Sequence, residues 1–236
     1  MENIALGQRR WTILRTTRFW LKITQMVCAV VAIVLCTIFN QNTRVHMMDS
    51  HYYYSVHLTF PFIYESNVTV QYSLDLPLRQ FKFEKLLLPS VITFVVATAL
   101  ALIVATVVLI LDVVHHGLQE SQTYIKVSFF ISLGMTFMVL AGICLWLANL
   151  ITLVKDVNDE LNFLLNQCKE NNGKCETKKP NFITLYISMA FGILLFLLWL
   201  IECIQIFIKM VYTIPAQITL TTLVRNVELN TVVAIT

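Results

Sequence analysis

Apolar residues in this chain gather into four long runs, about 23–39, 86–111, 127–154 and 182–208, and almost no charge interrupts any of them. A helix needs about 20 such residues to cross a hydrocarbon core of about 30 Å, and each run meets or approaches that length. The pattern predicts an all-α membrane protein, a bundle of four transmembrane helices. Polar stretches divide the chain around it: a basic N-terminal segment 1–22, the transmembrane domain 23–208 and a tail 209–236. Outer loops are expected at 40–85 and 155–181, and an inner loop at 112–126.

The first outer loop has a different texture. His51 to Phe60 and Val68 to Leu74 are rich in aromatic and β-branched residues and punctuated by Pro61 and Pro77, a composition that favours short strands, paired as a hairpin capping the bundle. In the tail, Pro215 stands against a simple helical continuation of the fourth run. Lying on the membrane, pairing as a strand with a partner and disorder all remain open for that segment.

Composition narrows the class further. The chain is 57% hydrophobic and only 13% charged, where an ordinary soluble domain is about 25% charged. The net charge of +3 comes from 17 basic and 14 acidic residues, too scattered for a nucleic-acid surface. The first run follows a basic region, as a secretory signal would, but its n-region is long and Phe39-Asn40-Gln41-Asn42 is no small-residue cleavage site. It reads as a retained helix.

Charge and chemistry then orient the spans. Arg9, Arg10, Arg15, Arg18 and Lys22 crowd the approach to the first run, and basic residues there resist translocation, so the N-terminus is expected in the cytoplasm. Lys155, Lys169, Lys174, Lys178 and Lys179 count the other way, although acidic residues are interleaved with them. Asn67-Val68-Thr69 is a glycosylation sequon whose Asn67 is usable only if the first outer loop reaches a lumen. Cys168 and Cys175 flank a turn-prone Asn171-Asn172-Gly173. They predict a disulfide in an oxidising compartment, with two free thiols as the alternative; zinc is disfavoured because no histidine shares that loop. Together these features put both termini in the cytoplasm of a cell bounded by the plasma membrane, or facing it from endomembrane vesicles.

Helices in lipid associate through close packing at small residues. Each run offers a stripe at a spacing of four, which keeps one helix face: Cys28, Ala32 and Cys36; Ala97, Ala101 and Ala105; Ser128, Ser132 and Thr136; Ser188 and Gly192. The remaining span cysteines, Cys144 and Cys203, read as compact packing residues too, and Cys203 also lies where palmitoylation could reach it. Stripes on all four runs favour a compact bundle with little room for a water-filled pore.

Two polar residues inside the spans are candidates for function. Glu202 sits about two turns from the inner end of the fourth run, and a carboxylate at depth is expensive enough to suggest ion or proton handling. The competing reading is structural: solvation near the interface, protonation, or a hydrogen bond to Gln205 or a neighbouring helix. Asn149 lies towards the outer end of the third run and cannot share a site with Glu202. Trp146, Trp199 and Tyr186 suit interfacial or packing roles. His46, His51, His57 and the inner pair His115 and His116 form no convincing metal cluster, so catalytic, cofactor and metal sites are expected to be absent.

The fourth run, Ala190-Phe191-Gly192-Ile193-Leu194-Leu195-Phe196-Leu197-Leu198-Trp199, and Leu145-Trp146-Leu147-Ala148 in the third resemble the MARVEL-domain four-span proteins, the synaptophysin and synaptogyrin group included. The chain departs from the synaptophysin branch in lacking cysteine in its first outer loop and the tyrosine- and glycine-rich tail repeats. The resemblance implies a non-enzymatic role in vesicle trafficking, membrane apposition or microdomain organisation. Partners would be the lipid bilayer and other membrane proteins, a second copy of the chain among them. The alternative is an auxiliary subunit of a channel or transporter, or a pore that uses Glu202.

Overall fold

The structure, a computed structural model, describes residues 17–47, 53–60, 87–114, 122–170 and 175–233, and only the backbone at 42–47, 53–57, 87, 160, 164, 167–170, 175–178 and 213–233. Four helices are described: α1 (Thr17–Thr37), α2 (Leu87–Val114), α3 (Gln122–Glu170) and α4 (Ile183–Val233). All four are long and apolar enough to cross a membrane. α1 packs on α2 and α4, and α3 packs on the same two, so the helices close into a ring in chain order.

The interior seam explains why they pack. On α1 the buried positions Lys22, Gln25, Ala29, Ala32 and Cys36 alternate three and four apart. On α4 Leu185, Ser188, Gly192, Leu195, Trp199, Glu202 and Ile206 do the same. A repeat of 3.5 residues keeps one stripe turned to its neighbours along a left-handed bundle. The other faces carry Val30, Ile103, Phe137, Ile151 and Leu197, all exposed. An apolar exterior around a seam that contains polar groups is the arrangement that suits lipid.

Local signals set the ends. Asn181 accepts a hydrogen bond from the Ile183 N–H at 3.0 Å, capping the start of α4. Pro89 occupies the first turn of α2, where its missing N–H costs nothing. At the opposite end of α1, Phe39 stacks on Phe182 with ring centroids 6.0 Å apart, joining the chain leaving α1 to the chain entering α4.

Two sequence expectations change. The third helix does not end at 154; it continues to Glu170, through much of the expected outer loop, because Val157 and Leu161 prolong its buried stripe and it packs on a small sheet. The fourth helix continues past Pro215 to Val233. One proline removes a single ladder bond, a cost of about 3 kcal/mol, and the residues around it still form helix. The small β element expected beside the helices is present, and the 51–60 segment read as strand-forming supplies one of its strands. β1 (Asn40–Met47) pairs antiparallel with β2 (Tyr53–Thr59), Asn40 opposite Thr59, and on its other edge with β3 (Cys175–Lys178), Met47 opposite Cys175. The order is β2-β1-β3. The polar sequence of β1 hid it, since its strand character comes from two neighbours and not from its own propensity. Val68 to Leu74 lies outside the described residues.

Candidate functional site

The first turns of α1 and the 199–206 stretch of α4 run side by side, and there the seam changes from small apolar residues to charge. Lys22 Nζ lies 2.7 Å from Glu202 Oε2. Gln25 Nε2 donates to the same carboxylate oxygen at 2.9 Å. Lys22 also sits over the Trp199 ring, 4.2 Å from its centroid. Helical spacing builds the cluster from both sides, because Lys22 and Gln25 are three apart on α1 and Trp199 and Glu202 three apart on α4. Lys22 and Glu202 are each only 1% exposed and Gln25 is fully buried.

Correct spacing alone does not pay for taking two charges out of water. The ammonium gains a carboxylate and an aromatic face, and the carboxylate gains a second donor, which are the supplementary contacts a desolvated pair requires. Two polar atoms of the layer have no protein partner: Gln25 Oε1 and Trp199 Nε1, an acceptor and a donor. Around the pair, Ser132 Oγ donates to the Trp199 carbonyl at 3.4 Å, and Arg18 donates to Ser128 Oγ at 3.4 Å. Asp112, near the end of α2, accepts from the Tyr124 hydroxyl of α3 at 2.7 Å. Each helix therefore contributes polar groups to this one end.

The positions singled out in the sequence divide sharply. Glu202 is in the cluster, bonded to a neighbouring helix and not to Gln205, which is exposed. Asn149 is remote; its side-chain amide donates to the Leu145 carbonyl at 2.8 Å on its own helix. Ala97, Ala101, Ala105, Ser128, Ser132, Ser188 and Gly192 are all buried between helices of the same chain. Ser188 Oγ donates to the Ala32 carbonyl at 2.7 Å, a bond that only a small residue on α1 leaves open. A Cβ built on Gly192 would lie 2.8 Å from Phe94 Cε2, so the absent side chain is what lets α2 reach α4. Trp146 and Trp199 are core residues, while Tyr186 is exposed. Cys28, Cys36, Cys144 and Cys203 are free thiols. Asn67, His51, His115 and His116 lie outside the described residues, as do the side chains of Cys168 and Cys175. No group of His, Cys, Asp or Glu suited to a metal ion occurs among the described residues.

Lys22, Gln25 and Trp199 were missed as site residues. Lys22 fell in the segment expected to precede the membrane, whereas α1 begins at Thr17 and carries it inside. The signal was present in the spacing: Lys22 and Gln25 extend the three-and-four stripe of Ala29, Ala32 and Cys36. Comparison with protein-family models and with characterised proteins gave no match to this chain.

Proposed function

We propose that the protein is a multi-pass membrane component that organises other membrane constituents and catalyses no reaction, with both termini cytoplasmic. The observation that carries this reading is the Lys22–Glu202 pair. A carboxylate held at 2.7 Å by a lysine and at 2.9 Å by an amide is engaged in joining α1 to α4. Towards the sheet, Phe94, Leu150, Leu185 and Leu195 fill the seam, which speaks against a continuous polar path past Glu202. The resemblance to MARVEL-domain proteins points the same way, to vesicle trafficking, membrane apposition or microdomain organisation. A glycan on Asn67 and a Cys168–Cys175 disulfide belong to the same proposal.

The mechanism differs from the one the small-residue stripes suggested. Those stripes are consumed within the chain, so lateral contacts fall to the outward apolar surface and the cap formed by β1, β2 and β3. Crosslinking in native membranes, followed by purification and mass spectrometry, tests the reading. Recovery of vesicle or junction components supports it. Stoichiometric recovery of a channel or transporter replaces it with the auxiliary-subunit reading, and an ion flux abolished by Glu202→Gln replaces it with a pore.

A further inference from the structure

Beside the ion-pair layer, at the same end of the bundle, a cleft of about 260 Å³ opens. Arg18, Lys209, Asp112 and Gln205 are among its polar lining residues, and Leu109 and Ile206 among the apolar ones. Arg18 lies one helical turn from Lys22, and Ile206 one turn from Glu202. All six lie towards the ends of their spans: Arg18 is the second residue of α1, and Asp112 is two residues before the end of α2. Lys209 is three residues before the apolar window of α4 ends at Tyr212. In a bilayer this is the level at which hydrocarbon gives way to headgroups.

The cleft carries both signs of charge. Asp112 is buried and held in place by the Tyr124 hydroxyl. Arg18 is half-buried, donating to Ser128, and Lys209 stands exposed. A purely anionic group would gain the two cations but meet a fixed carboxylate, and a purely cationic group would meet the reverse. A group that carries both signs a few bonds apart meets both kinds of charge. Guanidinium and ammonium groups bind phosphate oxygens through charge-assisted hydrogen bonds, and a carboxylate accepts them from a primary ammonium. The apolar residues suit the first carbons of an acyl chain.

We propose that this cleft binds a phospholipid headgroup bearing a phosphodiester and a primary ammonium, with Arg18 and Lys209 on the phosphate and Asp112 on the ammonium. The proposal rests on the chain's insertion in a bilayer and is independent of its organising role. The test uses the full chain in phosphatidylcholine nanodiscs doped with phosphatidylethanolamine, its mono- and dimethylated forms, or phosphatidylglycerol, with retained lipid identified by native mass spectrometry. Phosphatidylethanolamine should be retained about tenfold over phosphatidylcholine and phosphatidylglycerol, as expected for charge-assisted bonds that it alone of the three completes. Retention should fall stepwise with N-methylation, a readout on the unaltered protein that stands even if a variant misfolds. Asp112→Asn should transfer the preference to phosphatidylglycerol, and Arg18→Gln with Lys209→Gln should lose retention of both. Equal retention of all lipids, or a wild-type preference for phosphatidylglycerol, overturns the proposal. So does binding of soluble phosphoethanolamine that displaces the lipid, which would make the site one for a free phosphate compound.

Discussion

The two ends of the bundle core solve the same problem by different means. Towards the sheet, α1 presents Ala29, Ala32 and Cys36, and the space is filled by Val91, Phe94, Leu150, Leu153 and Leu185, every one almost completely buried. Towards Thr17 the same helices present Lys22, Gln25, Asp112, Ser128, Ser132 and Glu202. In a bilayer, hydrophobicity would do little to hold either end together, because lipid is as apolar as the core. The sheet end depends on closeness of fit. A leucine that turned outwards there would lose contacts but not solvation. The opposite end depends on pairing, and a charge that turned outwards would face hydrocarbon, at about 2.5 to 3.5 kcal/mol on insertion scales. Fit tolerates small shifts; the pair accepts one register of α1 against α4. The polar end is therefore expected to specify which helix faces which.

The strongest test of this contrast is to leave one charge alone. Glu202→Leu should destabilise the bundle by about 3–5 kcal/mol, since Lys22 then remains buried without its partner. Lys22→Met with Glu202→Leu should recover most of that loss, and unfolding in bicelles read by helix content compares the two. If the single variant is as stable as wild type, the pair does not specify the register. The matching test at the sheet end is Gly192→Leu, whose side chain collides with Phe94. Overpacking of this kind costs about 1–3 kcal/mol. Pairing it with Phe94→Ala should restore part of the loss, whereas no rescue would place the strain elsewhere. Ser188→Ala removes one interhelical hydrogen bond to the Ala32 carbonyl; such bonds in membranes average about 0.6 kcal/mol, so the same unfolding assay should show a small loss. Asn149→Ala should lie within about 0.5 kcal/mol of wild type, because that amide bonds only within its own exposed turn. A larger effect would reveal a role at the sheet end that contact with Leu145 does not explain.

Much of the fold could be read along the chain, and the reason is solvent. A segment crossing hydrocarbon must satisfy its own backbone, so a long apolar run can only be a helix, and the run announces itself without reference to the rest of the chain. The small-residue stripes were legible for a related reason: their spacing is a property of one helix. Legibility failed wherever a second element supplied the meaning. The polar β1 is a strand because β2 and β3 flank it. The end of α3 is set by its packing on that sheet, and Pro215 marks no helix end. Glu202 announced a function but not a partner, since Lys22 stands 180 residues away in sequence.

The sequence by itself determined that there are four apolar segments able to span a membrane, and which face of each is narrow enough to pack. Helix formation and face periodicity are local consequences of backbone chemistry and a 3.6-residue turn. Only the tertiary structure decided that Lys22 lies inside the bundle, that Glu202 is neutralised by it, and that the small-residue stripes are spent within one chain. Those outcomes depend on antiparallel alignment of α1 with α4, and a distance of 2.7 Å between two charges exists only once both helices are in place.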